Sequence, residues 1–127
     1  MRALEPIVCT RVVATPAALD TVSWPMGAVV LRVAPDEALV TAEVTTATVP
    51  DPHAIVERET GFVAAWVESR RALELLEQFC TWELPHARPA FAQGAVAGLP
   101  VKLWFDADRV LILVPAPFAT DFAERVP

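Results

Sequence analysis

The side chains that could carry covalent or metal chemistry in this chain are few: Cys9 and Cys80, His53 and His86, Ser23 and Ser69, Asp106 and Asp108. A zinc site needs several ligands converging at short paired spacings, and these His and Cys residues are scattered. Nucleophilic catalysis needs a Ser, Cys or Thr on a recognisable elbow with a His and a carboxylate, and no Gly-x-Ser-x-Gly context is present. Ser69 reads instead as a helix cap and Cys80 as an apolar helix residue. Asp106 and Asp108 could share a proton or chelate a cation, but two acids around Ala107 are the residues of a tight turn. Gly27, Gly61, Gly94 and Gly98 stand singly, so no phosphate-cradling loop is encoded. Glu57-Arg58-Glu59 is the densest charge cluster and reads as a solvated turn. The expectation is a chain with no catalytic, metal-ligating or cofactor-binding residues of its own.

Four tryptophans are a heavy aromatic load for 127 residues. Trp66 and Trp104 lie in strand-like runs and read as core or sheet-face residues. Trp24, in Ser23-Trp24-Pro25-Met26-Gly27, and Trp82, just past a helix, fall in loops and are the candidate contacts with another chain. Composition points the same way. With 54% hydrophobic and 20% charged residues, the apolar supply exceeds that of an average soluble domain, so a partner is expected over part of the surface. The net charge of -6 disfavours nonspecific attraction to nucleic acid or anionic membrane, so neither is expected as a partner.

The apolar stretches are interrupted before the roughly 20 residues a membrane span requires. The opening Met1-Arg2-Ala3-Leu4-Glu5-Pro6 lacks the apolar run of a leader, so a cytoplasmic protein with reduced thiols is expected. Nine Arg against one Lys, without Asn or Tyr, reads as GC-rich codon usage.

The elements that must position these residues follow from periodicity. Residues 1–127 read as one domain. Ile7 to Val13 suits a strand, and Thr15 to Asp20 reads as loop or one short turn of helix. Ala28 to Val33 and Ala38 to Val44 form a hairpin around Ala34-Pro35-Asp36-Glu37. Thr45 to Pro52 is a surface connection. His53 to Glu57 and Phe62 to Val67 are a hairpin or one bent strand. From Ser69, the spacing of Ala72, Leu73, Leu75, Leu76, Phe79 and Cys80 predicts a helix, with Arg70, Arg71, Glu74, Glu77 and Gln78 on the solvated side. Pro85 and Pro89 place a loop after it. Pro100 to Phe105 and Arg109 to Pro115 form a second hairpin, and Pro117 opens a final helix with Phe118, Phe122 and Val126 on one stripe. The order is that of an α+β layer architecture.

Three local patterns, in order, carry a family resemblance over 28–126. The first is Val29 to Val40 with Ala34-Pro35-Asp36-Glu37-Ala38-Leu39-Val40. The second is Ala54-Ile55-Val56-Glu57 followed by Phe62 to Val67 and the helix to Cys80. The third runs through Phe91-Ala92-Gln93-Gly94, Leu99 to Trp104, Arg109 to Val114 and Phe118 to Arg125. In these the chain resembles the gamma subunit of heterotetrameric sarcosine oxidase and, more distantly, the folate-binding domain of aminomethyltransferases, shortened at the N-terminal side. Two positions depart from that pattern: Glu57-Arg58-Glu59 stands for Asp-Leu-Ser, and Glu68-Ser69-Arg70 for Ser-Gly-Pro.

The resemblance implies a mixed or antiparallel sheet with two principal helices, as in a folate-binding domain fragment. It also implies a non-catalytic accessory subunit of a flavin-dependent amine oxidase assembly, partnered by a larger flavoprotein. A folate-like ligand in one-carbon metabolism and a self-associating interaction module are the alternative expectations.

Overall fold

The computed structural model describes residues 4–127, which divide into two compact units: Ile7–Thr60, and Gly61–Pro127 with the described residues up to Pro6. The elements in chain order are β1 (Glu5–Val13), α1 (Pro16–Thr21), β2 (Val30–Ala34), β3 (Glu37–Val40), β4 (Ile55–Glu68), α2 (Ser69–Phe79), β5 (Ala90–Val96), β6 (Leu99–Phe105), β7 (Arg109–Pro115) and α3 (Ala119–Arg125). The strand order is β2-β3-β1-β4-β7-β6-β5, and the β1–β3, β2–β3, β4–β7, β5–β6 and β6–β7 ladders are antiparallel. The architecture is α+β with a seven-stranded antiparallel sheet and three α-helices, so α1 joins the two helices expected.

In the first unit Thr15 caps α1 by accepting the Ala18 N–H, and Pro16 takes a position whose missing donor costs nothing. The β2–β3 hairpin forms as expected around Pro35 and Asp36, with a register shift between Arg32 and Ala34. Arg32 fixes that corner: it donates to Pro35 O and Pro16 O and pairs with Asp20 at 2.9 Å. β3 stops at Val40 because Thr41 turns away, its N–H bonding Val29 O while its hydroxyl accepts the Val29 N–H. Thr46–Thr48 form a short 3-10 turn within the surface connection. The core of this unit is Val12, Ala18, Leu19, Ala38, Val40, Val44 and Val49.

His53 to Val67 proves to contain one strand rather than a hairpin, β4. In the second unit its C-terminal half pairs with β7 from Phe62↔Pro115 to Glu68↔Arg109. α2 follows immediately and lays Ala72, Leu75 and Leu76 on the sheet. Its cap differs from the expected one. Glu68, still extended, accepts the Arg70 and Arg71 N–H groups at 3.1 and 3.3 Å, while Ser69 lies inside the helix with its buried hydroxyl unpaired. The backbone of Ser69 is committed instead to Asp108 O at 3.0 Å. Glu68→Ala should therefore cost about 0.5–2 kcal/mol in urea unfolding. Ser69→Ala should be near neutral, because it removes a buried hydroxyl that bonds nothing. A larger loss for Ser69→Ala than for Glu68→Ala would reverse the assignment.

A strand absent from the sequence reading, β5, follows the proline-rich segment and pairs with β6 over its whole length, from Ala90↔Phe105 to Val96↔Leu99. The connecting turn holds Ala97 and Gly98 at φ 52° and 81°, the left-handed pair that a two-residue hairpin requires. Ala97 is tied down through both of its backbone groups, since its N–H donates to Phe79 O and its carbonyl accepts from Arg125 at 2.9 Å. The β6–β7 hairpin closes at Asp106-Ala107-Asp108, where the Asp106 carboxylate accepts the Ala107 N–H and the Asp106 N–H bonds Arg109 O. The core here is Val101, Leu103, Phe105, Val110, Ile112, Val114 and Phe122 beneath α2 and α3.

Candidate functional site

The residues singled out for chemistry do not converge. Among the described residues no group of three or more His, Cys, Asp or Glu side chains could hold a metal ion. The Asp106 carboxylate is spent on its turn, accepting the Ala107 N–H, and Asp108 supplies the carbonyl for the Ser69 N–H. His53 donates its backbone N–H to Asp51, whose carboxylate also accepts the Thr15 N–H; these two bonds hold the Asp51 carboxyl below its ordinary range. No helix among the described residues is long and apolar enough to cross a membrane.

Both cysteines are free. Burial pushes the Cys9 thiol up to about 11, with the Glu59 carboxylate adding to the effect, and burial also raises Cys80. A thiol so shifted has roughly 100-fold less thiolate near neutral pH than one at its ordinary value. In the native protein at pH 8, iodoacetamide should label Cys80 before Cys9, and the Cys9 labelling rate should climb about tenfold per pH unit and level off only near pH 11. Labelling of Cys9 at pH 8 at the rate of the unfolded chain, followed by mass spectrometry, would overturn that assignment.

Glu57-Arg58-Glu59 lies within β4, and Glu57 joins a cluster the sequence did not suggest. Arg11 donates from Nε to Glu37 at 3.1 Å and from Nη1 to Glu57 at 2.9 Å. The Glu37 hydrogen bond and charge, then those of Glu57, raise the Arg11 pKa further above its already high ordinary value. The three residues sit on three strands that become neighbours only in the sheet. Each is partly exposed, so the contacts fix register more than they add stability. A groove of about 600 Å³ runs beside this cluster, lined by Val8, Cys9, Thr10, Val44, Val56 and Arg58.

The two tryptophans expected to face a partner differ. Trp24 is half-buried against the core of the first unit, next to a loop tip where Met26 is fully exposed. Trp82 folds back onto β5. Its indole Nε1 donates to Ala95 O at 2.8 Å, and a Cβ placed on Gly94 would lie 2.8 Å from the Trp82 ring. Glycine at 94 is what admits the ring.

The same ring lines a second groove, of about 550 Å³, between the C-terminal half of α2 and the segment after it. Leu73, Leu76 and Glu77 come from one helical stripe, Cys80 is the extended residue just past the helix rather than a helix residue as expected, and Glu83, Leu84, Pro85, His86 and Arg88 come from the proline-rich segment. Arg88 is internally engaged: its Nη1 donates to Pro85 O and Ala87 O, and its guanidinium lies 4.8 Å from the centre of the Phe105 ring. Sequence reasoning assigned Glu77 to the solvated face. It is exposed, but it also borders the apolar stripe, a position legible from its spacing of four from Leu73.

Compared with protein-family models and with curated proteins, the chain matches none.

Proposed function

We propose that this chain is a non-catalytic accessory subunit resembling sarcosine oxidase gamma, with an aminomethyltransferase-like folate-binding domain fold, and that it works through protein contacts in a flavin-dependent amine oxidase assembly. The observation that carries this reading is the collinear order of the resembling segments. The second half of β4, α2, β5, β6, β7 and α3 succeed one another within Gly61–Pro127, where they build one continuous core. Of the three resembling patterns, the third and the later part of the second fall within this unit, while Val29 to Val40 and Ala54 to Glu57 belong to Ile7–Thr60. The half-exposed tryptophans Trp24 and Trp82 supply the kind of side chain on which association energy concentrates.

The test is co-purification of the tagged full chain from its native host. A stoichiometric larger subunit with flavin absorbance near 450 nm supports the reading. Recovery of the chain alone, at concentrations where its partner is expressed, would remove it.

A further inference from the structure

Several features of the groove beside Trp82 act in the same electrostatic direction. α2 is 11 residues long and ends at this groove without a basic residue in its last turn, so no cationic side chain of the helix offsets the partial negative charge of its C-terminus, although Phe79 O accepts the Ala97 N–H. Glu77 and Glu83 add two exposed carboxylates. The Trp82 ring, locked by Gly94 and Ala95 O, supplies an aromatic surface that attracts cations. Arg88 also lines the groove and keeps its positive charge, but it is one cation against the two carboxylates, and its guanidinium is held by Pro85 O, Ala87 O and the Phe105 ring. His86 approaches Glu83 at 3.5 Å in an exposed contact that an incoming charge can displace at little cost.

Apolar walls accompany the charge: Leu73, Leu76 and Leu84 line the same groove. At about 550 Å³ it is larger than one side chain and open to solvent, so a lone small amine would stay mostly hydrated there, whereas an extended segment could use both walls and rim.

We propose that this groove docks a basic, apolar segment of a partner protein. The partner's arginine or lysine is met by Glu77, Glu83, the α2 C-terminus and Trp82, and the flanking apolar side chains lie against Leu73 and Leu84. The assignment rests on the reading of the chain as an accessory protein and names the chemistry of its partner.

The test uses the full chain and the indole N–H resonance of Trp82, identified by its loss in Trp82→Phe. Three probes are titrated: the peptide acetyl-Ala-Leu-Arg-Leu-Ala-amide, the same peptide with Glu for Arg, and arginine amide. The Arg peptide should move the Trp82 signal in a saturable, salt-sensitive way, while the Glu peptide leaves it in place. Glu77→Gln and Glu83→Gln, both exposed and expected to keep the rest of the spectrum unchanged, should each weaken Arg-peptide binding roughly 2- to 5-fold.

Equal responses to the two peptides, or Gln variants that bind as well as the native chain, overturn the docking chemistry. Arginine amide binding as tightly as the Arg peptide would make this a small-cation site. A Trp82 shift that depends on protein concentration alone would place a second copy there, and either result replaces the proposal. Co-purification separates this from the broader reading: a flavoprotein recovered while Trp82 ignores the Arg peptide leaves the accessory role standing and removes the groove.

Discussion

Phe122→Ala is expected to destabilise the protein by about 3–5 kcal/mol, the range for emptying a fully enclosed aromatic site. Phe122 is 0% exposed and belongs to the core of Gly61–Pro127. Its helix gives it unusual weight. α3 has seven residues and no side-chain cap at its N-terminus, so it is far too short to persist on helix propensity alone. Packing holds it, and Phe122 with Val126 is the packing. Phe118, in the preceding 3-10 turn and 37% exposed, should cost under about 1 kcal/mol on truncation. Denaturant unfolding compares the two variants at unchanged slope. A Phe122→Ala midpoint close to that of the native chain would mean that α3 is not anchored through this ring.

Gly94→Ala should displace Trp82. The new Cβ would stand 2.8 Å from Cε2, closer than real Cβ contacts come, and 3.0 Å from Cζ2 and Nε1, at the tight limit of such contacts. The ring cannot yield by small adjustment, because its Nε1 is bonded to Ala95 O. Overpacking of this kind costs about 1–3 kcal/mol, and loss of the indole hydrogen bond adds about 1 kcal/mol. Near-ultraviolet circular dichroism and the Trp82 indole resonance should both change. Pairing Gly94→Ala with Trp82→Ala removes the clash, so the double variant should lose less than the sum of the singles. Additive losses would show that the ring does not rest on Gly94.

Much of the fold was legible because its strongest signals are local. The 3- and 4-residue spacing of Ala72, Leu75, Leu76 and Phe79 marked α2, with Cys80 falling just past its end as the extended C-cap, and the acidic turn between two β-rich runs marked the β6–β7 hairpin. β5 escaped because Ala90-Phe91-Ala92-Gln93-Gly94-Ala95 is poor in β-branched residues and follows two prolines. It is a strand because β6 pairs with it along its whole length. The helix cap escaped for a related reason: both Glu68 and Ser69 can cap, and the choice was made by β4 and β7, which keep Glu68 extended opposite Arg109.

The candidate surface was half legible. Trp82 could be picked out as a loop aromatic, but its resting place on Gly94 joins residues on either side of the proline-rich segment, and no periodicity reports that. The Arg11, Glu37 and Glu57 cluster is of the same kind, since each residue alone is an ordinary surface charge.

The short turn at Ala97-Gly98 also bears on the order in which the chain becomes structured. β5, β6 and β7 are joined by two tight reversals, so their ladders form at little loop-closure cost. The β4–β7 ladder must instead bring Glu68 to Arg109 across α2 and the whole meander. The meander is therefore the natural nucleus, and β4 is the strand that docks late. Substitutions in the Ala97-Gly98 turn should act mainly on the folding rate, and those along the β4–β7 seam mainly on how fast the protein comes apart.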